Sequence, residues 1–186
     1  MAAAPWWCSN GGMDAAAVYL EFYGRIPPLC RLAVDGLDAD VLARQVQPGT
    51  NPIGWLVWHL TRVQDHHVSE VLEADQLWLT DGWAARFGRE PAVADVGYGQ
   101  SAEEVAAFDP VGADLLLAYH DAVDARTREY LATLTSDDLD RIVDRNWDPP
   151  VTLGVRLVSV ADDALQHAGQ ALYLRGLLQP DWRFPA

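Results

Sequence analysis

The sequence is poor in cysteine. Its 186 residues include two, Cys8 and Cys30, with no Cys-x-x-Cys pair. That excludes a disulfide framework and fits a reducing cytoplasm, the expected location. Positive charge is also scarce: Lys plus Arg total 13 against 27 Asp plus Glu, a formal net charge of -14. Such a surface repels nucleic-acid phosphates and anionic lipid, so neither nucleic acid nor membrane is an expected partner. No apolar run approaches the roughly 18 to 20 residues that a bilayer span needs. The opening "MAAAPWWCSNGG" lacks the basic start and long apolar run of a signal peptide. Residues 1–13 read as a disordered leader, with Met13 an alternative start, and residues 14–186 as one domain.

Strand patterning is almost absent as well. The remaining text reads as four long helices. The first spans about 14–36 and is kinked or broken at Pro27 and Pro28, which lack backbone donors. A short helix follows within "DGLDADVLARQ". The second long helix starts with Asn51 as N-cap and Pro52 in the first turn. Residues 74–110 are turn-rich, the longest irregular stretch, and long ordered segments of this kind often cover a site. Within it, Ser101 and Glu104 are spaced as a capping box. The third helix covers about 111–134 and the fourth about 153–178, with Pro149 and Pro150 excluding helix between them. Four helices with one long crossover predict an all-α, antiparallel four-helix bundle.

Three of the five histidines fall in "WHLTRVQDHH", residues 58–67. At about 100° per residue, His59 shares the apolar face of Trp55, Leu56 and Val63. His66 lies near that direction but about 10 Å further along the axis, and His67 turns toward the edge. On the fourth helix, Asp163 and His167 interrupt a stripe of Leu153, Leu157, Val160, Ala164, Ala171, Leu174 and Leu178. They are four residues apart and stack on one face, whereas Asp162 turns away. Spacing alone leaves two readings open. His59, Asp163 and His167 form a two-imidazole, one-carboxylate cation site with an open position. Alternatively, Asp163 and His167 pair with each other, and His59 donates to a backbone carbonyl. His120, beside the Tyr119 face, is expected at the surface.

"NPIGWLVWHLTRVQDHH" and "WDPPVTLGVRLVSVADDALQHAGQALYLRGLL", with "DGWAARFG", "GYGQSAEEVAAF" and "LLAYHDAVDARTREYL" between them, resemble the DinB-like superfamily. The resemblance runs from about Val18 onward. It is closest to the actinobacterial branch related to mycothiol-dependent S-transferases and maleylpyruvate isomerase N-terminal domains. It implies a DinB-like four-helix bundle with a divalent metal on His59, Asp163 and His167. Several relatives carry Glu or His as the middle ligand, so Asp163 is a shorter variant. The implied ion is zinc, with nickel, iron or manganese suited to the same donors. The implied co-substrate is a low-molecular-weight thiol such as mycothiol, and the implied reaction is thiol transfer to small electrophiles. Thiol-dependent isomerisation with the same metal, and a non-catalytic binding bundle, are the alternatives.

The residues permit that chemistry. No nucleophile elbow is present, and neither cysteine is near the ligand segments, whereas a metal-bound thiol loses its proton. His66 is the candidate general base. Arg62, Gln170, Arg175, Trp83 and Trp147 are candidates for substrate binding, the arginines weighed against ordinary salt bridges. Tyr98, between Gly97 and Gly99, reads first as a tight turn. An exposed helix face could support a homodimer.

Overall fold

The computed structural model describes residues 13–185; residues 1–12 of the expected leader, Cys8 included, lie outside the described residues. The chain is mostly helical, as the sequence predicts. Asp14 caps α1 (Ala15–Tyr23), its carboxylate accepting from the Ala17 amide at 2.8 Å. The expected break comes at Gly24 and Arg25, ahead of the prolines. Pro27 and Pro28 fall instead in the first turn of α2 (Ile26–Val34), where their missing N–H groups cost nothing. One kinked helix is therefore two. A single turn, α3 (Ala39–Leu42), follows.

Helix α4 (Ile53–Leu72) is the centre of the molecule. Pro52, not the expected Asn51, occupies its N-cap position. Every residue from Ile53 to Asp65 is buried, the pattern of a helix enclosed on all sides. It packs on α8 (Ala113–Leu131) and α9 (Leu153–Leu178), and α2 packs on the same two. Along α9, Ala161, Ala164, Ala168 and Ala171 are fully buried, small side chains that let neighbouring helices come close. Leu174 and Leu178 of the expected stripe are only partly buried. Helix α1 is latched to α9 by two hydroxyls: Tyr23 donates to the Leu157 carbonyl at 2.9 Å and Tyr19 to that of Gly154 at 3.1 Å.

The turn-rich segment has secondary structure and core contacts of its own. It holds α5 (Leu77–Thr80), α6 (Trp83–Arg86) and α7 (Ala102–Ala106). Trp78, Trp83, Phe87, Val105 and Phe108 pin it to the core. The Ser101–Glu104 capping box forms as expected. Between α8 and α9, strands β1 (Ile142–Asp144) and β2 (Val151–Thr152) make a small antiparallel ladder, Ile142 opposite Thr152, too short to show in the pattern. His120 corrects another expectation: it is 1% exposed. Its position beside Tyr119 turns toward α4, where Nδ1 meets the Thr61 hydroxyl at 3.2 Å. Among the described residues, no helix is long and apolar enough to cross a membrane.

Candidate metal centre

The α4–α9 packing brings His59, Asp163 and His167 together. One donor atom from each lies within 4.8 Å of the others. The His59 and His167 rings meet edge to face, centroids 4.9 Å apart at 74°. Asp163 Oδ1 is 3.5 Å from His167 Nε2, across one turn of α9. The shorter carboxylate therefore reaches its neighbour. Trp55, one turn before His59, stacks on its ring at 4.5 Å and 15°, covering one side.

The His59–carbonyl bond of the second reading is compatible with a cation site, because it uses the other ring nitrogen, whereas an Asp163–His167 pair uses Nε2 itself and competes with an ion for it. His59 Nδ1 hydrogen-bonds the Val96 carbonyl, and a carbonyl only accepts, so Nδ1 carries the proton. His167 Nδ1 donates to Gln170 Oε1 at 2.8 Å. Both rings keep the Nε2 lone pair for a ligand, the arrangement that supports metal-binding histidines. Burial holds His59 below its ordinary pKa, opposed by the Val96 carbonyl and the Asp163 charge. Asp163 is the chief influence raising His167, with burial opposing it and Gln170 adding to it. Asp163 Oδ2 is buried and has no hydrogen-bond partner among the described residues. An orphaned carboxylate oxygen beside two imidazole lone pairs is costly as it stands and fits a divalent cation.

Val96 and Gly97 touch the candidate site, and neither was expected there from the sequence. Gly97 has φ +89°, and a Cβ there would sit 2.8 Å from the Trp55 ring and 2.9 Å from His59 Nδ1. Only glycine lets the backbone come this close to His59. The Gly-Tyr-Gly turn was legible; its partner was not.

Beside the triad lies a pocket of about 360 Å³ lined by Asp163, His66, His67, Val96, Tyr98 and Arg156, among others. The other sequence candidates scatter. Gln170 supports His167. Arg62 is fully buried, and all five of its N–H groups have partners in Asp95, Asp65, Tyr119, Gln76 and Val93. No donor is left for a substrate carboxylate; the side chain instead ties the segment before Val96 to α4. Arg175 donates to the Leu32 carbonyl at 2.7 Å and lies under Trp182, away from this pocket. Trp83 is buried against Tyr119. Trp147 is exposed and does not line the pocket. Cys30 is buried in the core, and burial pushes its thiol up to about 12, so it stays protonated and is no nucleophile.

The family model of mycothiol-S-transferase matches residues 29–180. The chain belongs to that family. The match takes in all three triad residues and the pocket. Among solved structures, the chain is similar to one described as a conserved protein of a locus from Enterococcus faecalis. The two are 30% identical with a TM-score of 0.83, over 91% of this chain and 100% of that one. No curated protein matches.

Proposed function

We propose that this protein is a metal-dependent transferase that activates a low-molecular-weight thiol of the mycothiol type for attack on small electrophiles. The observation that carries the reading is the convergence of two imidazole lone pairs and an orphaned carboxylate oxygen beside a pocket. The family supports the thiol and the transfer. We read the α2, α8, α4 and α9 packing as the antiparallel four-helix bundle of the DinB-like superfamily, residues 14–186 forming one domain.

His59, Asp163 and His167 would hold the ion, zinc by preference, since imidazole and carboxylate with an open position suit it. When bound, a divalent ion there favours the thiolate form of a coordinating thiol at neutral pH. The chain supplies the rest. The Val96 carbonyl and Gln170 fix both rings by their Nδ1 protons. Trp55 closes the site on the His59 side, and the pocket leaves room for an electrophile next to Asp163.

The test is direct. Zinc-loaded protein is given mycothiol, bacillithiol or glutathione with small electrophiles, before and after chelation. A stable thioether product formed only by the metal-loaded protein is the expected result. Thiol recovered with a rearranged product would mark an isomerase. Equal rates after complete metal removal, or no turnover with any of the thiols, would contradict the proposal.

A further inference from the structure

His66, in the pocket wall, has a proton position fixed by its neighbours. Gln76 Oε1 accepts from Arg62 Nη2 at 2.8 Å, and a guanidinium can only donate. The opposite end of the same carboxamide, Nε2, therefore faces His66 Nδ1, also at 2.8 Å, and donates to it. A ring nitrogen that accepts carries the lone pair, so the His66 proton sits on Nε2. Glu70 Oε1 lies 3.4 Å from that nitrogen, beyond the usual N–H···O range of about 2.7–3.2 Å. The His66 side chain is 22% exposed and lines the pocket that Asp163 also lines.

This tautomer is the opposite of the one a general base needs, and it separates two histidine groups that otherwise look alike. His66, His67 and Glu70 also present donor atoms within 4.8 Å of one another. In the triad, each Nδ1 meets an acceptor and each Nε2 is left with a lone pair. At His66, Nδ1 meets a donor, and Nε2 keeps its proton. His67 Nδ1 does meet an acceptor, Glu70 Oε2 at 2.8 Å, but the Arg156 guanidinium lies 3.3 Å from the same nitrogen, and its charge opposes a cation there.

We propose that His66 acts as a hydrogen-bond donor to the electrophile, and that the pocket favours α,β-unsaturated carbonyl compounds. The inference rests on the thiol-transfer reading. The thiolate sulfur bonds to the β-carbon, and the alkene π pair moves toward the carbonyl. The resulting enolate oxygen is held by His66 Nε2–H. Proton uptake from water at the α-carbon restores the carbonyl and completes the addition. A preorganised donor aimed at an oxygen that gains charge lowers the barrier. An alkyl halide builds no such oxygen and gains nothing from it.

Two measurements test this on the zinc-loaded protein. Side-chain ¹⁵N NMR of the histidines should show His66 with a lone-pair Nδ1 and a protonated Nε2. With mycothiol and methyl vinyl ketone, His66→Leu should lose about ten-fold or more in kcat/KM, and His66→Gln, which keeps an N–H, should recover most of it. With benzyl bromide the loss in His66→Leu should be several-fold smaller than with methyl vinyl ketone, and His66→Gln should give no recovery, and zinc content should not change. Equal losses on both substrates, no loss in His66→Leu, or a proton on Nδ1 would overturn the donor role. If no thiol is turned over with either electrophile, the transferase reading and the substrate role fall together. The NMR result then still stands as a separate finding about the ring.

Discussion

Two polar centres lie along helix α4. Both are built around an aspartate, and they differ in completeness. Around Asp65 both carboxylate oxygens are matched. Its carboxylate accepts from the Leu77 and Trp78 amides at 3.0 and 2.8 Å, from Tyr119 Oη at 2.8 Å and from Arg126 at 2.7 Å, with Arg62 at 3.4 Å. Around Asp163, which α9 brings to the same helix, no such shell exists. Its Oδ2 has no partner among the described residues, and two imidazole lone pairs face the carboxylate. A carboxylate with saturated hydrogen bonds holds structure together. One left short beside lone pairs has room for a cation. The first centre, with Arg62, fastens the segment between α4 and Val96 to the helix, and so carries Val96 and Gly97 to His59.

The largest effect should come from breaking the saturated centre. Asp65→Ala strands Arg62 and Arg126 without their carboxylate and should cost about 3–5 kcal/mol, read by urea unfolding. Asp163→Ala, which removes the under-supplied carboxylate, should leave metal-free stability nearly unchanged in the same assay. Comparable losses in the two variants would erase the distinction.

A smaller effect concerns pH and a third buried group, at the α4–α8 interface. Burial pushes His120 down to about 4. Below its ordinary value of 6.5 the unfolded chain binds a proton that the folded chain refuses. Its contribution is therefore lost as pH falls from about 6.5 toward 4. Asp124 works in the opposite direction: burial raises it to about 6, so the folded chain takes up its proton first and gains stability as pH falls from there toward 3.8. The two oppose each other where their windows overlap. Asp124→Asn should steepen the acid loss relative to the unaltered protein, and His120→Gln should flatten it. Unfolding curves at neutral pH and at about pH 5 check both signs.

Smaller still in stability, but aimed at the candidate metal centre, is Gly97→Ala. The positive φ and the contact with Trp55 and His59 should cost about 1–3 kcal/mol and weaken zinc binding as well. Zinc affinity unchanged within error would mean that the Val96–Gly97 backbone does not support His59.

The helices, their approximate limits and the inward faces of His59, Asp163 and His167 were legible because they depend on periodicity, proline placement and i,i+4 stacking, all local in the chain; that the three residues share one site was implied only by the family resemblance. The Ser101–Glu104 cap was legible for the same reason. The partners of these residues were not. His120 is beside the apolar face of its own helix, and only the approach of α4 buries it. Arg62 has the composition of a surface cation, and its five partners come from four separate places in the chain. The Val96 carbonyl leaves no side-chain signature at all. The tautomers of His59, His66 and His167 follow from these partners, so the division of labour among the histidines needed the structure.

The central claim is that the triad holds one divalent ion. Gently purified protein should carry about one ion per chain by elemental analysis, zinc for preference, and His167→Ala should remain folded yet carry almost none. Metal-free protein from a fresh preparation, with a melting temperature that zinc leaves unmoved, would contradict it.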